Sequence, residues 1–126
     1  MGNATRIPTL VAATLALAGA ARAHHSVAMF DTGRETIIEG VLKDMQWTNP
    51  HSWLIVTVTS ADGSMTDWSL ESGPPSMLAQ MGFKRTDFKA GEHVTVRLHP
   101  MRDGQPLGLF MSMVRADGRV VAPKGE

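Results

Sequence analysis

The stretch SWLIVTVTS (residues 52–60) carries the pattern that decides the fold. Its residues alternate with period two, which places Leu54, Val56 and Val58 on one face of an extended chain. The pair Asp62-Gly63 follows, and this dipeptide is typical of hairpin turns because glycine adopts positive φ at no steric cost. The stretch therefore predicts a β-strand that enters a tight hairpin.

The hairpin is predicted to return through MTDWSLES (residues 65–72). Polar Asp67 and Glu71 alternate there with apolar Trp68 and Leu70, which is the pattern of a strand with one face in the core. We therefore expect a half-buried third strand from which both carboxylates project on the polar side. A glycosidase pair of carboxylates is not expected, because so small a chain has little room for a substrate cleft.

The remaining segments extend this hairpin into an all-β domain. TIIEGVLKDMQW (36–47) reads as the strand before it, and MLAQM (77–81) as a short helix after it. Two further strands follow, around residues 93–99 and 107–114. The order predicts a five-stranded OB-like barrel over residues 36–122, with the helix between strands three and four and a loose tail at 123–126. A small open β-sandwich with different strand pairing is the alternative.

The amino-terminal residues 1–23 read as a secretory signal peptide. They contain a basic Arg6, an apolar run at 10–20, and an A-x-A cleavage pattern that ends at Ala23. The run is shorter than the roughly 20 apolar residues that span a bilayer. We therefore expect an exported, periplasmic protein without a membrane span after processing, although an uncleaved anchor is the alternative. The mature chain would be one domain with an N-terminal segment at 24–35.

Composition limits the possible functions. Loss of Arg6 and Arg22 with the signal leaves ten Lys and Arg against twelve Asp and Glu, a net charge of −2, so a nucleic-acid partner is not expected. The chain has no cysteine, which excludes disulfides, thiolate zinc sites and cysteine nucleophiles. Motifs typical of hydrolases and nucleotide-binding enzymes are also missing, and we do not expect an enzyme. Any metal must be bound by histidine, carboxylate, methionine or backbone groups.

The histidine pair His24-His25 directly follows the predicted cleavage site. A terminal histidine offers a metal its α-amine and its ring Nδ1, and Cu(II) favours such nitrogen ligands. His51 is the best candidate for a third nitrogen, because it lies in the loop WTNPHSW (47–53), where Pro50 restricts its own φ and favours extended backbone at Asn49. His24, His25 and His51 are therefore predicted copper ligands, in an arrangement called a histidine brace.

Several alternatives stay open at this point. The histidine pair is otherwise a solvated tail, and His51 is otherwise a structural residue between Trp47 and Trp53. His93 and His99 lie on one face of the fourth strand, roughly 20 Å apart at about 3.3 Å per residue, and are interpreted as exposed strand residues, although either can approach the His24 end. The methionines of the last hairpin are interpreted as core residues.

Seven short motifs resemble those of a family of small exported bacterial proteins catalogued as a domain of unknown function. They are AHHS (23–26), MFD (29–31), WTNPHSWL (47–54), WSLESGPP (68–75), LAQMGF (78–83), FKAGEHVTV (88–96) and RDGQPLG (102–108). The resemblance spans nearly the whole mature chain. It implies export and a small β-domain, and it implies no activity.

The residues predict a periplasmic copper-binding protein that stores, buffers or delivers the metal. Another exported or membrane protein is the candidate partner. The main alternative is a non-metal binding module, in which the loop residues Asn49 and Pro50, flanked by Trp47 and Trp53, help to bind a peptide, a saccharide or a partner protein. An oxidative copper enzyme of the histidine-brace type is a third reading.

Overall fold

Alternating apolar residues form the strands that the sequence predicts, and the strands close into a barrel. A computed structural model describes residues 27–125. The elements are β1 (Thr36–Gln46), β2 (Ser52–Thr59), β3 (Met65–Ser72), α1 (Pro75–Gln80), β4 (His93–Pro100), β5 (Leu107–Arg115) and β6 (Val120–Val121), with 3-10 turns at Val27–Met29 and Arg85–Asp87. The predicted signal peptide and the histidine pair lie outside the described residues.

The strand pairing is that of a five-stranded OB-type barrel. Neighbouring strands pair antiparallel in the order β3-β2-β1-β4-β5, and β6 adds to the outer edge of β5. A parallel pairing between β3 and β5 closes the barrel, with Leu70 opposite Gly108 and Glu71 opposite Leu109. This closure confirms the predicted fold, and the open-sandwich alternative is wrong because β3 and β5 bond directly to each other.

The barrel interior is filled by the inward faces of the strands. Leu54 and Val56 of β2, Leu70 of β3 and Val96 of β4 are fully buried. The hairpin between β2 and β3 turns at Gly63, whose φ of 83° is the positive value that the Asp-Gly pair predicts. Period-two alternation is therefore sufficient to identify the core face of the central hairpin.

The short helix α1 closes one end of the barrel. Pro75 stands at the first helical position, where its missing N–H costs no hydrogen bond. Leu78 points into the core and is 1% exposed. The chain leaves the helix through Gly82, whose φ of 94° is accessible to glycine without strain.

The segment before β1 is fastened to the end of β4. Phe30 is 1% exposed and forms an isolated bridge with Met101. The Asp31 N–H donates to the Pro100 carbonyl at 2.8 Å, and the Arg102 N–H donates to the Met29 carbonyl at 3.0 Å. These contacts hold residues 29–31 against the barrel. Across residues 27–125, the structure has no helix with the length and apolar character that a membrane crossing needs.

An ion pair between Glu92 and Arg115 links the start of β4 to the end of β5, and its effect depends on pH. The Arg115 guanidinium donates to both carboxylate oxygens, at 2.9 to 3.2 Å, and these hydrogen bonds hold the pKa of Glu92 below its ordinary value of 4.5. A depressed carboxylate pKa stabilises the fold above the unfolded-state pKa, and that contribution is lost as the pH falls through the folded-state value.

We therefore expect Glu92→Gln to lower the melting temperature at neutral pH, and we expect its difference from wild type to shrink as the pH falls below 4.5. Thermal unfolding followed by circular dichroism between pH 7 and pH 3 checks this, with the exposed Glu39→Gln as control. A difference that stays constant over that range would show that the ion pair does not contribute.

Candidate functional site

The loop between β1 and β2 is held in one arrangement by two hydrogen bonds. The Thr48 hydroxyl donates to the His51 carbonyl at 2.6 Å, and the Ser52 N–H donates to the Gly73 carbonyl at 3.1 Å. Asn49 and Pro50 are exposed and are joined by a cis peptide bond. The loop thus places His51 beside the carboxyl end of β3.

The His51 ring contacts a buried carboxylate. His51 Nδ1 lies 2.6 Å from Glu71 Oε1, and the Glu71 side chain is only 6% exposed. The second oxygen, Oε2, is also buried and has no hydrogen-bond partner among the described residues. The expectation that Glu71 projects toward solvent is therefore wrong, because other parts of the chain cover the outer face of β3 at this point. A buried carboxylate is costly unless a donor or a cation compensates its charge.

His99 lies in the same cleft as His51 and Glu71. The cleft measures about 300 Å³, and these three residues are its titratable side chains. His99 Nδ1 lies 2.8 Å from the Arg34 carbonyl. His99 is half-buried, so its interpretation as an exposed strand residue is wrong, whereas His93 is exposed as expected. Barrel closure causes the difference, because His99 pairs with Leu109, which in turn pairs with Glu71.

The Nδ1 partners of both histidines determine which ring nitrogen can bind a metal. A backbone carbonyl only accepts hydrogen bonds, so His99 must carry its proton on Nδ1. A carboxylate such as Glu71 is likewise an acceptor for the Nδ1–H of His51. In the neutral rings, Nε2 then keeps the lone pair. A carboxylate or carbonyl behind a histidine is the usual arrangement of a metal ligand, because it fixes the tautomer and the orientation of the ring.

The rest of the cleft wall is apolar and contains two methionines. Its apolar residues include Val27, Met77, Met81, Leu109 and Phe110. Val27 follows His24 by three residues in the chain. The methionines interpreted as core residues are Met101, Met111 and Met113. The structure confirms this for Met101 and Met113, with 5% and 1% exposure, whereas Met111 is only half-buried.

The predicted ligands His24 and His25 lie outside the described residues, and no geometry can be assigned to them. Within the described range, no group of three or more His, Asp or Glu side chains is arranged to hold a metal ion. His51, Glu71 and His99 share a cleft without forming such a group. A metal bound here would need at least one further ligand.

The tryptophans do not form a single exposed surface. The Trp47 ring meets Phe88 edge to face, at 5.6 Å between centroids, and the Arg85 guanidinium lies over it at 4.9 Å. Trp68 packs against the core, and Trp53 is half-buried on the outer face of β2. The binding-module alternative therefore stays a prediction. The aromatic residues that it uses largely contact other residues of the protein.

Comparison with known protein families identifies the family of this chain. The model of a family of unknown function, DUF6152, matches residues 12–111, which is most of the chain. The chain belongs to this family. No curated protein and no solved structure is similar enough to this DUF6152 chain to count as a match. The matched region includes the histidine pair, His51, Glu71 and His99, and it confirms the resemblance at the level of the family.

Two site residues of this DUF6152 protein escape sequence reasoning. Glu71 has the alternation of a solvent-facing strand residue, and His99 lies 48 positions after His51, so neither spacing nor periodicity connects them. The one available signal is the parallel pairing of strands three and five that an OB-type barrel requires, since it brings the ends of β3, β5 and β4 together.

Proposed function

We propose that this protein is an exported copper-binding protein in which the mature amino terminus and His51 bind one Cu(II) ion. The proposal includes cleavage after Ala23 and a periplasmic location. Storage, buffering or delivery of copper to another exported or membrane protein would be its role. The observation that carries the proposal is the buried Glu71 behind His51, in a cleft that Val27 also lines.

The pair of His51 and Glu71 supports a metal ligand more than a purely structural histidine. A histidine with a purely structural role needs one hydrogen-bond acceptor, and a backbone carbonyl can be that acceptor. Here the acceptor is the Glu71 carboxylate, whose side chain is only 6% exposed. Its second oxygen has no hydrogen-bond partner in the described range. Placing a negative charge in this environment is costly, and a cation bound at Nε2 of His51 offsets that cost.

Cleavage after Ala23 would put the amino terminus within reach of this site. Val27 lines the cleft, and its backbone follows His24 by three residues. Because a chain extends at most about 3.6 Å per residue, the α-amine and ring of His24 can reach ligands within roughly 11 Å of Val27. His24 would supply two nitrogens and His51 the third, with His25 as the alternative third ligand. A nitrogen-rich site of this kind favours Cu(II) among the divalent first-row metals.

The experiment that tests the proposal starts from export of the full chain. The secreted protein is purified, its amino terminus is identified by mass spectrometry, and Cu(II) is titrated in competition with a chelator while electron paramagnetic resonance spectra are recorded. We expect one tightly bound Cu(II) per chain with nitrogen hyperfine coupling. Copper that is bound weakly, or without nitrogen coupling, would contradict the proposal.

Replacing Glu71 by glutamine tests the carboxylate behind the ligand. The amide keeps the size of the side chain and removes its charge, so His51 is oriented less firmly and the cation is compensated less well. We expect the Cu(II) affinity to fall about tenfold or more, as is typical when such a partner is lost. Asp67→Asn is the matched control, since Asp67 is a carboxylate on the same strand that accepts from the Thr57 hydroxyl at 2.7 Å, outside the cleft. Equal affinities in both variants and in wild type would argue against a role for Glu71.

A further inference from the structure

We propose that the same cleft also binds Cu(I), with Nε2 of His51, Nε2 of His99 and the thioether of Met77 as ligands. This inference rests on the proposed copper-binding function and extends it to the reduced ion and to two residues of the described chain. No redox step is part of it, because the ion is bound as Cu(I) from the start.

Met77 is a candidate ligand because of where α1 places it. Met77 and Met81 are four residues apart, hence on one face of the helix, and both line the cleft. Met77 is 43% exposed, unlike the core methionines Met101 and Met113. Its terminal methyl and sulfur lie over Gly73, where any Cβ would overlap the methyl carbon. Glycine therefore allows the thioether to lie against the backbone at the end of β3.

Gly73 also connects the thioether to His51. The Gly73 carbonyl accepts the hydrogen bond from the N–H of Ser52, which directly follows His51 in the chain. The thioether of Met77 and the backbone beside His51 thus both lie against Gly73. The loop, the end of β3 and the first turn of α1 form one side of the cleft.

His99 approaches from the other side of the cleft. It pairs with Leu109, and Leu109 pairs with Glu71, so one strand separates His99 from the carboxylate that holds His51. Neighbouring strands lie about 4.8 Å apart, which puts the backbones of Glu71 and His99 roughly 10 Å apart. Two histidine side chains that extend from such positions into one cleft can share an ion. The hydrogen bond from His99 Nδ1 to the Arg34 carbonyl leaves Nε2 for that purpose.

The chemistry of the cleft suits a soft monovalent cation. Thioethers and imidazoles are ligands that Cu(I) accepts, whereas thioethers are poor ligands for hard divalent ions. The cost of transferring an ion into apolar surroundings rises with its charge, so Val27, Leu109 and Phe110 disfavour a monovalent ion less than a divalent one. The described residues thus provide a Cu(I) site that does not depend on His24.

The test measures Cu(I) affinity by competition with a Cu(I)-specific chelator under anaerobic conditions, on the protein purified after export of the full chain. Wild type is compared with Met77→Leu and His99→Gln. Matched controls are Met65→Leu, at a methionine that is 73% exposed, and His93→Gln, at an exposed histidine of β4. Cu(II) affinity is measured on the same preparations, so that the two functions are judged separately.

We expect both test variants to weaken Cu(I) binding about tenfold or more, the controls to leave it unchanged, and Met77→Leu to leave Cu(II) affinity unchanged. Cu(I) affinity in Met77→Leu equal to that of wild type, with tight Cu(II) binding retained, would overturn this inference and leave the proposed function standing. Tight Cu(I) binding that both variants weaken, without Cu(II) binding, would support the inference and contradict the Cu(II) site. A wild-type protein that binds neither ion would overturn both.

Discussion

Replacing His51 by alanine is expected to weaken Cu(II) binding by about 100-fold or more. Loss of a residue that only orients a ligand already costs about 10- to 100-fold in metal affinity, and loss of the ligand itself costs at least as much. The chelate formed by His24 would remain, so we expect weak residual binding with fewer nitrogen couplings. Competition titration and electron paramagnetic resonance on the exported variant measure both quantities.

The control for this variant is His93→Ala. His93 is an exposed histidine at the start of β4, and it is not part of the cleft that contains His51. Because His51→Ala leaves the Glu71 carboxylate buried without its partner, unfolding curves of the variant are recorded beside the titration to separate loss of a ligand from loss of the fold. An unchanged copper affinity in a folded His51→Ala protein would exclude His51 as a ligand.

Replacing Leu54 by alanine is expected to have the largest effect on stability. Leu54 is fully buried at the centre of the barrel core, and Leu-to-Ala substitutions at such positions cost about 2–5 kcal/mol because they remove apolar contacts and leave a cavity. A small domain has a total free energy of unfolding of about 5–15 kcal/mol, so this loss is a large part of it. Chemical denaturation measures the change as a lower midpoint.

Ile37→Ala is the matched control for Leu54→Ala. Ile37 lies on β1 and is 66% exposed, so we expect its replacement to cost less than about 1 kcal/mol. Similar losses for the two variants would mean that the inward face of β2 is not the centre of the core.

Local patterns predict most of this fold. The alternation in residues 52–60 and the Asp62-Gly63 pair specify a hairpin, and its core face is the one that the structure buries. The order of strands with one helix after the third favours an OB-type barrel, but it does not by itself exclude an open β-sandwich. The parallel closure of β3 on β5 follows from the choice of fold and has no local signal of its own.

The site is less predictable than the fold for a physical reason. Period two tells which face of β3 points away from the barrel, but it does not tell what lies over that face, so Glu71 appears exposed in the sequence and is buried in the protein. The position of His99 is also hard to predict. The geometry of one strand sets its distance from His93 along β4, whereas its distance from His51 depends on barrel closure. His51 is predictable because the short loop that carries it is restricted by Pro50.

The most direct test of the account is whether copper binding uses the new α-amine of His24. Two exported proteins are compared in the Cu(II) titration, one processed to begin at His24 and one with three alanines before it, so that no histidine stands among its first three residues, each verified by mass spectrometry. We predict that the added alanines weaken Cu(II) binding and remove a nitrogen coupling from the paramagnetic resonance spectrum. Equal affinities and identical spectra for the two proteins would contradict the proposed site.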